Sequence, residues 1–356
     1  MQFAVLAFFT IAAVLYGCTR RELPMNVTFS FSKITEPATG WHIIQLNAIH
    51  PDNPEQNLSV KITPEGGNNM FSFQVGDYEL LESPEELGTL LDRLRGTPIL
   101  YPTPNRVRDG TYVFMGDTIK MSFQGEEKPR MIHGLVWDDT SWQFSEPEIL
   151  PDAVRFKTWY VFDEKNPRFQ AYPFRSTLSV AYTLTKDRVR ISYEVENQDQ
   201  KPLGFGFALH PFWRQIGGKE KTHIQVALPY HMEATKDLLP TGKLDPVEGT
   251  QWDIREPKSV SDLSLDDVYF GATPKSTVRV LYDAIGLNLR QEATADFTHI
   301  VVYTPDREYF CIENQTCSTD AHNLFSKGFE HESHLQIVDP GEKTGGHVDF
   351  IVEWGN

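Results

Sequence analysis

The stretch that decides the fold runs from Thr177 to Asn197: TLSVAYTLT (Thr177–Thr185), then Lys186-Asp187, then RVRISYEVEN (Arg188–Asn197). In the first arm Leu178, Val180, Tyr182 and Leu184 alternate with other residues, and in the second Val189, Ile191, Tyr193 and Val195 do the same. Successive side chains of a strand point to opposite faces, so a period of two marks a strand buried on one side. The two charged residues between the arms make the turn of a hairpin. The same alternation recurs in MFSFQV (Met70–Val75), TYVFMGDTIKMSF (Thr111–Phe123) and AVRFKTWYVF (Ala153–Phe162). A second hairpin, STVRVLYDAIGLNLRQEA (Ser276–Ala293), turns at Ala284–Gly286, and HVDFIVEW (His347–Trp354) closes the chain. One segment only carries a helix start, with Ser83 as N-cap, Pro84 at the first helical position and Glu86 three residues after the cap, which predicts a helix to Gly96. About twenty strands against one helix give an all-β protein. No Pro- or Ser-rich linker and no fixed-period repeat divide residues 30–356. The expected organisation is an export signal over 1–18, a short tether over 19–40 and one domain over 41–356.

Composition narrows the classes of function. The 356 residues are 40% hydrophobic and 12% aromatic with 3 Cys, which excludes disordered, collagen-like and disulfide-scaffold proteins. A formal net charge of −16 opposes the phosphate backbone, and no Lys/Arg cluster beyond Arg20-Arg21 offsets it, so nucleic acid is not an expected partner.

The N-terminus reads as an export signal. Phe3–Leu15 (FAVLAFFTIAAVL) is apolar but shorter than the roughly 20 residues that span a bilayer. Leu15-Tyr16-Gly17-Cys18 resembles the lipobox of bacterial lipoproteins, which implies cleavage before Cys18, acylation of its thiol, and a periplasmic or cell-surface location on a lipid anchor. A conventionally cleaved signal and an uncleaved anchor are the alternatives, because Tyr16 is bulky for a lipobox and Arg20-Arg21 follow the apolar run. Cys311 and Cys317 are expected to be unpaired thiols. Export also removes the chain from cytosolic nucleotide cofactors.

Four segments place polar residues where strand patterning alone would not: YPTPNRVRDG (Tyr101–Gly110), MIHG (Met131–Gly134), ALHPFW (Ala208–Trp213) and FCIENQT (Phe310–Thr316). Singly, Arg106 reads as a surface ion-pair residue, His133 as a turn histidine and His210 equally as a core histidine or a catalytic one. Glu313 interrupts an apolar strand, where an unpartnered carboxylate is costly.

Together with LPTG (Leu239–Gly242), LDDVY (Leu265–Tyr269) and VVYTP (Val301–Pro305), these segments resemble the aldose 1-epimerases, or galactose mutarotases, in order and in kind from Ile43 to the C-terminus. The resemblance implies a β-supersandwich of antiparallel sheets with an open sugar cleft. It implies that Glu313 is the general base at the anomeric hydroxyl, that His210 is the general acid at the ring oxygen, and that Arg106 with its neighbour Asn105, His133 and Asp266 bind the sugar. Asp267 is the alternative to Asp266. Asn314 follows Glu313 where the family often has proline, so neighbouring packing must aim the carboxylate.

Interconverting anomers of a free hexose requires the C1 hydroxyl to lose a proton while the ring oxygen gains one. An acid and a base flanking one sugar suffice, each contributing about 10²–10⁴ in rate, and no cofactor or metal is required. Arg106 brings fixed donors and a permanent charge that favours an ionised Glu313. Three other readings compete: a non-catalytic sugar binder, a hexose-phosphate mutarotase that needs further basic residues, and a glycoside hydrolase or lyase pairing Glu313 with Asp266 or Asp267.

Overall fold

The computed structural model describes residues 27–123 and 127–355. The export segment, Cys18 and Arg20-Arg21 lie outside the described residues. Among the described residues strands dominate, with two short α-helices, Ala321–Ser326 and Glu330–Ser333. Three large sheets carry the chain: a five-stranded one from residues 28–79, a ten-stranded one, and an eight-stranded one that holds the candidate site.

The deciding hairpin forms as its alternation predicts. Ser176–Leu184 pairs antiparallel with Arg188–Asn197, and Thr185 N–H donates to Arg188 C=O at 2.9 Å across Lys186-Asp187. The second hairpin pairs Val278–Tyr282 with Leu287–Ala293. The closing strand, Lys343–Trp354, inserts between Arg188–Asn197 and Leu287–Ala293, so the C-terminal strand is central to the ten-stranded sheet. Aromatic side chains join that sheet to the eight-stranded one. Tyr193 stacks on Phe207 with ring centroids 4.2 Å apart, and Trp213 meets Phe350 edge-on at 5.1 Å. A buried aromatic removes about 150–250 Å² from water, which at about 25 cal/mol per Å² contributes roughly 4–6 kcal/mol.

Three expectations are corrected. Thr28–Thr35, assigned to a tether, is an edge strand paired along its length with His42–Ile49. The helix predicted from Ser83 to Gly96 is a five-residue 3-10 turn, Leu87–Leu91. The Ser83 hydroxyl donates to Phe71 C=O at 2.7 Å instead of capping a helix, and Glu86 is extended. Only Leu90 of the turn is buried, which leaves no apolar stripe to hold a longer helix. Thr111–Phe123 breaks into two strands, Thr111–Phe114 and Asp117–Lys120, at Met115-Gly116, both of which have positive φ.

Candidate active site

The Tyr309–Gln315 strand lies between His299–Tyr303 and the 208–214 segment. Its alternation sorts two functions. Phe310 and Ile312 point into the core, while Tyr309, Cys311, Glu313 and Gln315 share the other face. Across the strand Ala208 stands opposite Gln315 and Phe212 opposite Cys311, so His210, midway between them, falls opposite Glu313. His210 N–H donates to Pro98 C=O at 3.1 Å, which ties the turn to its other neighbour. The ladder continues through Asn314 opposite Ile300, and this pairing aims the carboxylate where the family often has proline.

The expectation that the two groups flank a sugar-sized space is corrected, because they are in contact. His210 Nε2 lies 3.2 Å from Glu313 Oε1, so the two groups touch side by side on the cleft floor. Gln315 Nε2 donates to Glu313 Oε2 at 3.0 Å, and the His210 ring lies parallel to Phe212 at 4.6 Å. An open cleft of about 510 Å³ rises above the pair.

Two adjacent loops supply one wall. Val107 N–H donates to Met131 C=O at 2.8 Å and Leu135 N–H to Tyr101 C=O at 2.7 Å, which lays residues 101–107 beside 131–135. His133 and Gly134 both have positive φ, and a Cβ on Gly134 would sit 2.3 Å from Tyr101 O, so only glycine fits there. The turn sets the His133 ring nearly perpendicular to that of His210, with centroids 5.3 Å apart. Asn105 Oδ1 accepts from the Arg106 backbone N–H at 2.7 Å and from its Nη1 at 3.4 Å. Arg106 Nη2 is 3.7 Å from Asp266 Oδ2 at the cleft rim. Asp267 turns away: its Oδ1 lies 2.8 Å from His231 Nε2, and His231 stacks on Trp252 at 4.0 Å. Of the two neighbouring aspartates it is therefore Asp266 that lines the cleft.

Burial governs the charges. It raises the Glu313 carboxyl to about 8, aided by Asp266, against the hydrogen bond from Gln315 and the Arg106 charge. The expectation that Arg106 holds Glu313 ionised is corrected, because desolvation outweighs that attraction. Burial, then neighbouring His133, pushes His210 well below the usual imidazole range. His133 falls to about 4 through burial, Arg106 and Arg130. The resting pair therefore holds one proton between a neutral carboxyl and a neutral imidazole.

The structure thus brings Asn105, Arg106, His133, His210, Asp266 and Glu313 to one cleft. It adds residues that the sequence did not single out, namely Arg93, Arg95, Trp137, Tyr303 and Tyr309. The Arg95 guanidinium lies 5.2 Å from the centre of the Tyr309 ring. Tyr309 was findable, since it precedes Glu313 at strand period. Cys311 and Cys317 are buried and free, as expected.

An antiparallel β-supersandwich with a carboxyl–imidazole pair at the floor of an open polar cleft defines the class. Residues 49–350 match the family model described as aldose 1-epimerase, and the chain belongs to that family. The galactose mutarotases of human and mouse are 24% and 25% identical over 159 residues. The aligned part spans 43% of this chain and 43% of each of those proteins. The Escherichia coli protein YphB is 23% identical over 72% of this chain and 83% of its own length. Among solved structures, a galactose mutarotase-like protein of Clostridium acetobutylicum superposes with a TM-score of 0.79 at 18% identity, covering 92% of this chain and 99% of the other. Galactose 1-epimerase of Lactobacillus acidophilus gives 0.71 at 17% identity, covering 93% and 100%. These structures share the fold.

Proposed function

We propose that the protein is an aldose 1-epimerase that interconverts the α and β anomers of free aldoses outside the cytoplasm. The observation that carries this reading is the 3.2 Å contact between His210 Nε2 and Glu313 Oε1 on the floor of an open cleft. Mutarotation takes one proton from the C1 hydroxyl and returns one to the ring oxygen, so a pair that stores one proton balances it. When sugar is bound, the shared proton sits on His210 and leaves Glu313 as carboxylate. Glu313 accepts the C1 hydroxyl proton as His210 protonates the ring oxygen, and the C1–ring oxygen bond breaks to give the open-chain aldehyde. Rotation about C1–C2 presents the other carbonyl face, and the reverse transfers close the ring. Arg106, held by Asn105, supports the negative charge that develops on the sugar oxygens, while His133 and Asp266 bind hydroxyls.

Asp267 is engaged by His231, which leaves Asp266 as the only one of the two aspartates at the cleft for a hydrolase-type carboxylate pair. Cys18 is the proposed site of lipidation, on the lipobox-like LYGC.

The test is polarimetric. Purified protein speeds the change in optical rotation of freshly dissolved α-D-glucose or α-D-galactose. Sugar binding without acceleration, across a panel of free hexoses and pentoses, would refute catalysis in favour of a binding role.

A further inference from the structure

One buried nucleophilic group has no part in the mechanism above. Cys311 stands two residues before Glu313 on the same face of the strand and is buried without a disulfide partner. One ligand atom each from His210, Cys311 and Glu313 lies within 4.8 Å of the others, and all three residues are buried. We propose that these three side chains form a binding site for a zinc-class cation, which closes the cleft by taking the acid–base pair as ligands.

The donor set makes the choice of ion. An imidazole nitrogen, a thiolate sulfur and a carboxylate oxygen suit Zn²⁺, whereas Mg²⁺ and Ca²⁺ favour oxygen ligands. Tetrahedral zinc with bonds of about 2.0–2.3 Å holds its ligand atoms about 3.4–3.6 Å apart. His210 Nε2 and Glu313 Oε1 are already 3.2 Å apart. The widest separation in the triad is at most 4.8 Å, so sulfur closes by about 1 Å, within reach of a side-chain torsion. The cation enters through the cleft, where His210 and Glu313 are part of the lining, and its fourth position faces the sugar space. Binding releases the Cys311 thiol proton and the carboxyl proton to solvent, with no change of oxidation state.

Inhibition by this ion rests on the proposed mutarotation, whereas binding does not. The experiment therefore has two readouts on the full-length protein: polarimetric inhibition by Zn²⁺, and absorption on titration with Co²⁺, whose bond to a thiolate gives a charge-transfer band. Expected are inhibition competitive with sugar, reversed by EDTA and absent with Mg²⁺, together with a cobalt–thiolate band. Cys311→Ser retains mutarotation but loses the band, and zinc inhibition weakens by at least about tenfold, since even supporting residues around a metal cost about 10–100-fold. Cys311→Ala is the second variant should the serine variant not fold. Zinc inhibition unchanged in a folded Cys311 variant, or cobalt bound without a Cys311-dependent band, overturns the site. A Cys311-dependent band in a protein that mutarotates no aldose supports the site and refutes the proposed function.

Discussion

Replacing Glu313 by Gln tests the central assignment through activity and stability together. The substitution keeps shape and an acceptor for Gln315 Nε2, which now donates to Glu313 Oε2 at 3.0 Å. It removes the exchangeable proton, so the rate should fall by about 10²–10⁴, the usual worth of a positioned base. Stability should move the opposite way. Burial raises this carboxyl from 4.5 to about 8, so folding penalises its ionised form. The penalty is absent below the unfolded value and grows as pH rises toward the folded one. At pH 7 about 2.5 pH units separate the solution from the unfolded value, and at about 1.4 kcal/mol each the upper bound on the gain is about 3–4 kcal/mol. For a chain of this length, with unfolding entropy of about 0.7 kcal/mol/K, that raises Tm by up to about 5 °C. The assays are polarimetry on fresh α-D-glucose or α-D-galactose and thermal melts at pH 4.5 and pH 7. A variant with a wild-type rate, or one whose melting gain is as large at pH 4.5 as at pH 7, would refute the reasoning.

The same shared proton predicts a pH profile in which kcat/KM is flat near neutrality. It falls above about 8, where the pair becomes a carboxylate and a neutral imidazole with no acid left; a rate still climbing through pH 9 contradicts this. Arg106→Ala should lower kcat by about 10²–10³ and shift the alkaline limb upward, because its charge opposes the rise of the carboxyl; kinetics over pH check both, and an unmoved limb would separate Arg106 from Glu313. Cys18→Ser should release the protein from the membrane fraction, and continued retention on fractionation would remove the lipid anchor.

Much of this was legible because strand alternation is local. The hairpin at Lys186-Asp187 and the turn at Ala284–Gly286 needed only their own residues. The six candidate side chains were legible as a set only through resemblance, since they lie on segments about 200 residues apart. Nothing local to ALHPFW or FCIENQT specifies that Ala208 pairs with Gln315, and that register is what presses His210 against Glu313. The carboxyl's raised proton affinity was hidden for the same reason, since it depends on how deeply neighbouring strands bury it. Arg93 and Arg95 were missed because a helix was expected over Ser83–Gly96, whereas the chain leaves its short turn after Leu91 and lines the cleft. The strand Thr28–Thr35 escaped notice because an edge strand with mostly exposed side chains lacks a buried stripe.

Glu313 and most of the loop-borne wall groups hang from different kinds of scaffold. Glu313 is braced by ladders on both sides, and His210 is pinned between them, whereas the contacts from residues 92–95, 105–106 and 132–133 come from irregular connections. Insertions in those connections can redraw the outline of the cleft while the His210–Glu313 pair keeps its spacing. On the proposed function, relatives of this chain can therefore diverge in the sugars they accept without reinventing the chemistry, and loop exchange between them offers a route to altered preference on an unaltered floor.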